Sequence, residues 1–243
     1  MNTFFKATLS LACLLSSPLA HAQQLLKKDD RIVFLGDSIT AAGARGKGYV
    51  NLTSQAIAKA YPDLNIEVIG AGIGGHKVPD CQRRLDKDVL KKKPTIVFIY
   101  IGINDVWHLT HPKVVARGKK GTTPEEFENG LKDMIAKISK AGARVILCTP
   151  TMIGEKNDGS NPDDKMLDQY SDISRKVAKD TKSQLLDFRK IFLTQLKKHN
   201  PENATKGIFT SDGVHMNERG NRLLSRFVLK ELQVKTPQLE KKN

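Results

Sequence analysis

Cysteine and aromatic residues are scarce in this 243-residue chain, which has three Cys, one Trp and 6% aromatic residues overall. Three cysteines are too few for a small disulfide-stapled domain, so the fold must rest on a hydrophobic core. The 39% of hydrophobic residues suffice for one, and ten Pro and eighteen Gly exclude collagen-like and low-complexity chains. A chain of this length forms one sizeable domain or two small ones.

Long apolar runs are also absent after the first 22 residues. Residues 1–22 combine Lys6, an apolar stretch over 7–15 and small residues at Ala20 and Ala22. This pattern is typical of a signal peptide cleaved near Ala22, and its apolar stretch is too short to span a bilayer. We therefore expect export to the periplasm or the extracellular space, with a retained anchor as the alternative.

After the signal peptide, the sequence predicts a linker over 23–29, one domain over 30–234 and a polar tail over 235–243. Cys81 and Cys148 remain in this mature chain, and we expect two separate buried thiols, with a disulfide between them as the alternative.

Short, almost continuous apolar runs alternate with amphipathic stretches along the domain. Such runs are typical of strands covered on both faces, and the alternation predicts parallel pairing through crossover helices. The expected fold is α/β, with a doubly wound five-stranded parallel sheet. The predicted strands are 31–35, 65–69, 95–101, 143–148 and 184–188, and the predicted helices are 48–60, 78–91, 124–141, 163–182, 188–199 and 217–232.

Residues that can do chemistry follow several of these strands, at the edge where ligands bind in such sheets. Ser38 follows the first strand, and Asp212 precedes His215 by three residues near the other end of the chain. An aspartate at this spacing can orient the imidazole, which then accepts a proton from a serine hydroxyl. Gly72 and Asn104 follow two other strands and can supply N–H donors to an oxyanion. The sequence thus predicts an acyl-transfer site with a serine nucleophile.

These residues lie in four short motifs, and the chain resembles the SGNH (GDSL-type) hydrolases through them. The motifs are Gly36–Thr40, Gly70–Gly72, Gly102–Asp105 and Asp212–His215, in the family's order and spread over nearly the whole mature chain. One departure is Gly70, where relatives often carry Asn.

The resemblance implies a three-layer α/β/α, flavodoxin-like fold and carboxylic ester hydrolysis through an acyl-enzyme. It implies Ser38 as nucleophile, His215 as base and Asp212 as the acid that orients it. It also implies an oxyanion hole formed by the backbone N–H groups of Ser38 and Gly72 with the side chain of Asn104.

Three competing motifs are weaker. Gly70–Gly75 fits the dinucleotide fingerprint G-x-G-x-x-G, but it follows the second strand and not the first. The α/β-hydrolase motif G-x-S-x-G fails because Thr40 occupies the position of its second glycine. His108 and His111 lack the further ligands that a metal site requires. We therefore expect neither a cofactor nor a metal.

The substrate is less well determined, because specificity depends on loops at the sheet edge. Two long loops are predicted, over 106–123 and 151–163. Candidate substrate-binding residues are Asp37, Trp107 and His108, with packing beneath the loop as the alternative for Trp107. The absence of a long apolar lid favours short acyl groups. The resemblance to a family that includes exported carbohydrate acetylesterases implies acetyl esters of carbohydrates. Lysophospholipase or arylesterase activity is the alternative, as is a secreted binding module without catalysis.

The chain is basic, with 40 Lys and Arg against 26 Asp and Glu and a net charge of +14. Export and the scattered placement of these residues argue against a nucleic-acid partner. Three loops at the reactive edge are basic and the fourth is acidic, which leads to the hypothesis of an anionic ester substrate, with loop solubility as the alternative. The basic residues are Arg45, Lys47, Lys77, Lys113, Arg117, Lys119 and Lys120, and the acids are Glu155, Asp158, Asp163 and Asp164.

Overall fold

A five-stranded, wholly parallel sheet forms the centre of the protein, whose computed structural model describes residues 26–235. The strand order is β2-β1-β3-β4-β5, which is the flavodoxin-like doubly wound arrangement. This confirms the predicted fold class. The strands are β1 (Arg31–Gly36), β2 (Glu67–Gly72), β3 (Ile96–Tyr100), β4 (Arg144–Cys148) and β5 (Gln184–Leu186).

The central strands β1 and β3 are apolar on both faces because helices cover both faces of the sheet. Phe34 of β1 lies in register with Phe98 of β3, and their rings stack with centroids 4.6 Å apart. Both rings are buried and belong to one continuous core. The sheet therefore holds the first and third strands in a fixed register.

The helices form two packed groups, α2 with α9, and α3 with α6 and α7. Right-handed crossovers place such groups on opposite faces of a parallel sheet. Helix α6 begins as predicted, with Thr123 as its N-cap, Pro124 in the first turn and Glu126 completing a capping box. The helices are α1 (Ser38–Gly43), α2 (Tyr49–Ala60), α3 (Val78–Asp88), α4 (Ile103–Thr110), α5 (Pro112–Val115), α6 (Pro124–Lys140), α7 (Asp164–Thr181), α8 (Phe188–His199) and α9 (Glu218–Glu231).

Helices α2 and α9 join the beginning of the domain to its end. The backbone N–H of Tyr49 donates to Oδ1 of Asn221 over 3.0 Å, and the hydroxyls of Thr53 and Ser225 lie 3.1 Å apart. Thr53 and Ser225 are buried, so these polar contacts fix how the two helices pack.

Several predicted boundaries differ from the structure. The strand predicted over 65–69 is β2, so Gly72 ends that strand instead of following it, and the strand predicted over 184–188 ends at Leu186. The predicted loop over 106–123 is partly helical, because α4 and α5 cover 103–110 and 112–115. The predicted linker over 23–29 includes Leu26, which is 3% exposed and belongs to the core, so the ordered domain begins before Asp30.

Cys81 and Cys148 are both buried and free, as expected. No helix among residues 26–235 is long and apolar enough to cross a membrane. The predicted signal peptide and all of the predicted tail except Lys235 lie outside the described residues.

The topology brings the ends of three strands to one place. Gly36, the last residue of β1, lies in register with Gly72 of β2 on one side and with Tyr100 of β3 on the other. The strand order reverses between β1 and β3, and open α/β sheets bind their ligands at such a point. The loops that begin there are therefore the place to look for a site.

Candidate active site

Ser38 is the first residue of α1 and follows the end of β1 after a single residue, Asp37. Asp37 is the N-cap of α1, and its Oδ1 accepts a hydrogen bond from the backbone N–H of Ile39 over 2.9 Å. This cap fixes the backbone on both sides of Ser38. Ser38 is half-buried, so its hydroxyl is both held in place and open to a ligand.

Ser38, His215 and Asp212 form a continuous hydrogen-bonded chain. Ser38 Oγ lies 2.9 Å from Nε2 of His215, although 177 residues separate them in sequence. His215 Nδ1 lies 2.7 Å from Oδ2 of Asp212. The fold thus brings together the three residues that the sequence singled out as nucleophile, base and orienting acid.

The turn that contains Asp212 and His215 is braced by the aspartate itself. Asp212 Oδ1 accepts hydrogen bonds from the backbone N–H groups of Val214 (2.9 Å) and His215 (2.7 Å). Partial burial raises the pKa of Asp212, but these bonds and the His215 ring outweigh it and hold the pKa below its ordinary value. Asp212 therefore stays ionised and can stabilise a positive charge on the imidazole.

Gly72 allows an unusually close approach between β2 and α1. A Cβ atom at this position would lie 2.2 Å from the backbone nitrogen of Ala41 and 2.7 Å from the carbonyl oxygen of Asp37. Only glycine fits such a contact. The last residue of β2 is thereby held against the turn that contains Ser38.

The segment after Gly72 also positions Asn104. Gly74 approaches Ser38, since a Cβ on Gly74 would lie 3.9 Å from the Cβ of Ser38. Asn104, near the start of α4, is 4% exposed, and its Nδ2 donates to the carbonyl oxygen of His76 over 3.1 Å. An amide nitrogen has two N–H groups, and this contact uses one of them. The second N–H of Asn104 has no hydrogen-bond partner among residues 26–235 and is free to bind a ligand.

Arg84 connects the strands on which these groups depend, and sequence reasoning missed it. Its guanidinium donates to the carbonyl oxygens of Gly36 and Ala71, each over 2.8 Å, and its Nε lies 3.1 Å from Nδ1 of His76. Gly36 lies two residues before Ser38, and Ala71 directly precedes Gly72, so Arg84 holds the backbone next to both site residues. Only a charged residue on an amphipathic helix was visible in the sequence, so no signal there revealed this role.

Asp37 and Asp105 are fully buried carboxyl groups beneath the site. Burial raises the pKa of Asp37 to about 7 against the opposing hydrogen bond from Ile39, and the charge of Asp105 adds to the rise. Burial likewise raises the pKa of Asp105 to about 6. Asp37 is 2% exposed, and its contact with substrate stays a prediction.

Trp107 and His108 lie on α4 rather than in an open loop. Trp107 is partly buried against the core, and its ring meets His111 edge to face at 5.2 Å. His108 is 5% exposed, and burial together with the charges of Lys77 and Lys119 lowers its pKa to about 4. Packing under the surface therefore describes Trp107 better than stacking on a sugar, and substrate binding by His108 stays a prediction.

The predicted arrangement of three basic loops and one acidic loop at the reactive edge is only partly present. In the acidic loop, Glu155, Asp163 and Asp164 are buried, and Asp164 pairs with Arg189 at 2.8 Å. These acids therefore do not face the basic loops across an open site, as the sequence had suggested. No group of His, Cys, Asp and Glu side chains within residues 26–235 is arranged to hold a metal ion.

Comparison with known proteins places this geometry in a family. The model of the GDSL-like Lipase/Acylhydrolase family matches residues 34–223. The solved acetyl xylan esterase AlAXEase is 41% identical, with a TM-score of 0.78 over 83% of this chain and 98% of that protein.

Two curated proteins extend the comparison. The acetylxylan esterase of Geobacillus stearothermophilus is 31% identical over 84% of this chain and 94% of that protein. Esterase TesA of Pseudomonas aeruginosa is 27% identical over 84% of this chain and 85% of that protein. Because the family model covers most of the chain and these full-length relatives are esterases, the chain belongs to the GDSL-like lipase/acylhydrolase (SGNH) family and is a carboxylic ester hydrolase.

Proposed function

We propose that this hydrolase removes acetyl groups from carbohydrates through an acyl-enzyme on Ser38. The observation that supports the mechanism is the 2.9 Å contact between Ser38 Oγ and His215 Nε2, with Asp212 on the other ring nitrogen. The similarity to acetyl xylan esterases over most of their length supports the substrate class.

In the first half of the reaction, Ser38 Oγ attacks the carbonyl carbon of the acetyl ester. His215 Nε2 takes the hydroxyl proton as the new C–O bond forms, and Asp212 stabilises the imidazolium. The carbonyl oxygen gains negative charge, which the N–H groups of Ser38, Gly72 and Asn104 offset. The bond to the sugar oxygen then breaks, and His215 returns its proton to that oxygen.

In the second half, water takes the place of the sugar alcohol. His215 accepts a proton from the water while its oxygen attacks the acetyl carbon. The bond to Ser38 Oγ breaks, and His215 gives its proton to Ser38. Acetic acid leaves and loses its remaining proton to the solvent as acetate. Water reaches this site readily, because the side chain of His215 is 37% exposed.

The exposed triad favours short acyl groups on a large alcohol. A long acyl chain needs an apolar surface, and Ile73, which directly follows Gly72, is 41% exposed and offers a small one. This residue supports lysophospholipase or arylesterase activity as the second candidate.

An anionic carbohydrate remains part of the proposal. Lys47 and Lys77 pair with Glu218 and Asp80, but Lys119 has no ionic partner within residues 26–235. Its Nζ lies 3.5 Å from where a Cβ of Gly75 would stand, close to the segment beside Ser38. A substrate carboxylate near this ammonium would be attracted, and the attraction would weaken as salt is added. Matched neutral and uronate-containing acetyl esters measured across a salt series test this idea, and equal kcat/KM values at low salt would contradict it.

Export completes the proposal, since polymeric carbohydrate lies outside the cell. The residues around Ala22 supply the expected cleavage site. N-terminal sequencing of the protein recovered from the medium or the periplasm should begin at Gln23. Recovery of the intact N-terminus in the cytoplasm would contradict export.

The deciding experiment measures acetate release from acetylated xylo-oligosaccharides alongside p-nitrophenyl esters of increasing chain length and a lysophospholipid. We expect the acetyl esters to have the highest kcat/KM. Ser38→Ala should lower kcat by several orders of magnitude with the fold intact, because no acyl-enzyme can form. Mass spectrometry of the quenched enzyme should show one acetyl group on the peptide containing Ser38, and a fully active Ser38→Ala variant would refute the mechanism.

A further inference from the structure

We propose that Glu155 is a positioning residue that holds the segment bearing Asp212 and His215 in its reactive geometry. This inference rests on the proposed roles of Asp212 and His215. Glu155 lies in the connection between β4 and α7 and is 0% exposed. Its carboxylate accepts hydrogen bonds from three successive backbone N–H groups, those of Ile208 (2.6 Å), Phe209 (2.7 Å) and Thr210 (2.5 Å).

Thr210 connects Glu155 to the segment that contains Asp212 and His215. Its hydroxyl oxygen accepts from the backbone N–H of Gly213 over 3.0 Å, and its backbone forms an antiparallel bridge with Met216. The N–H of Ser211 donates to the carbonyl oxygen of His215 over 2.9 Å. Residues 210–216 therefore form a closed loop whose base is fixed by Glu155.

The backbone next to Glu155 contacts the same segment a second time. The N–H of Gly154 donates to the carbonyl oxygen of Gly213 over 2.8 Å, and the N–H of Glu155 donates to the carbonyl oxygen of Thr205 over 3.0 Å. The side chain and the backbone of one short stretch thus contact Gly213 within the loop and the segment that leads into it, and a change at Glu155 should reach His215 through few intermediate groups.

The position requires a carboxylate for a chemical reason. A buried charge is costly unless it is compensated, and Glu155 has no salt-bridge partner within the described part of the chain. Three N–H donors converge on its two oxygens, and both oxygens of a carboxylate accept hydrogen bonds. Glutamine has nearly the same shape but would turn an NH₂ group toward at least one of these donors. The loop would then have to move.

Glu155→Gln is therefore the test, with Glu202→Gln as the matched control. Glu202 is exposed and lies between α8 and α9, the same connection that contains the triad loop. We expect Glu155→Gln to lower kcat for p-nitrophenyl acetate roughly 10- to 100-fold with little change in KM, as a displacement of about 1 Å in a reacting group does. Glu202→Gln should leave both constants unchanged. Glu155→Asp keeps the charge and should recover part of the lost kcat.

A double-mutant cycle separates positioning from general damage. If Glu155 acts through His215, Glu155→Gln should cause no further loss in the His215→Ala background, whose residual activity is still measurable. An equal loss in both backgrounds, or wild-type kcat in Glu155→Gln, would overturn the proposal. If Glu155→Gln does not fold, the same cycle is run with Glu155→Asp. A His215→Ala variant with full activity would instead overturn the proposed function, so the two failures are distinguishable.

Discussion

Replacing Gly72 by alanine tests how closely β2 and α1 must approach. The added Cβ would lie 2.2 Å from the nitrogen of Ala41 and 2.6 Å from the carbonyl carbon of Thr40. Both are backbone atoms, so neither can rotate away, and the strand end must retreat by about 1 Å to reach ordinary van der Waals contact. Overpacking of this kind costs about 1–3 kcal/mol of unfolding free energy.

Two measurements follow from this displacement. For a domain of this size, that cost lowers Tm by roughly 2–12 °C, which differential scanning calorimetry resolves. In the proposed mechanism the same movement withdraws the N–H of Gly72 from the developing oxyanion, and loss of one such donor lowers kcat by about 10²–10³-fold. We expect both effects in the Gly72→Ala enzyme, with KM for p-nitrophenyl acetate nearly unchanged.

Gly74→Ala is the matched control for this experiment. It adds the same methyl group two residues away, but the nearest atom there is the Cβ of Ser38 at 3.9 Å, which is an ordinary contact. Tm and kcat should therefore remain close to those of the wild type. If Gly72→Ala kept its Tm and kcat, or if Gly74→Ala lost as much, the close approach would not be what fixes the oxyanion site.

Three further predictions concern neighbouring groups. Asn104→Ala should lower kcat by about 10²-fold with little effect on KM, and a change in KM alone would show that Asn104 binds substrate instead. Arg84→Met should lower both Tm and kcat because it removes the hydrogen bonds that link the ends of β1 and β2. The control Arg83→Met changes a 70% exposed side chain and should lower neither. If the two variants had equal effects in calorimetry and kinetics, the link would be refuted. Folding raises the pKa of Asp37 to about 7, so the free energy of unfolding of the wild type falls as the pH rises from about 4 to about 7. Over that range Asp37→Asn should gain on the order of a few kcal/mol of unfolding free energy relative to the wild type. A Tm difference between the two proteins that does not change with pH would contradict this prediction.

The sequence was sufficient for the sheet because its strands are buried on both faces. Runs such as 95–101 have no polar side to align, so their apolar character alone predicts a central strand. The residues after those runs were equally visible, since parallel strands bring their carboxyl ends to one edge. Ser38 and Asn104 were found in this way, and Asp212 and His215 were found from their three-residue spacing. The structure brings Ser38, His215 and Asp212 into one hydrogen-bonded chain, and the oxyanion role of Asn104 stays a prediction.

What the sequence could not supply depends on tertiary contacts. Helix α4 was assigned to a loop because its signal is weak, and the packing of Ile103 and Val106 in the core stabilises it. Glu155 was assigned to an acidic loop, because nothing in the neighbouring sequence reveals that three distant backbone N–H groups donate hydrogen bonds to its carboxylate. Arg84 likewise gains its role only from the strand ends that it contacts.

The separation of Ser38 and His215 along the chain has a consequence for biosynthesis. During synthesis Ser38 is made early, and His215 follows 177 residues later, just before α9. Helix α2 cannot pack against α9 until α9 has been made. Closing so long a loop costs about 4–5 kcal/mol of chain entropy, which only the completed contacts between α2 and α9 and the core repay. Nascent or truncated chains therefore contain every strand up to β5 and yet no working hydrolase. Ester turnover thus reports complete folding, including the docking of the last helix.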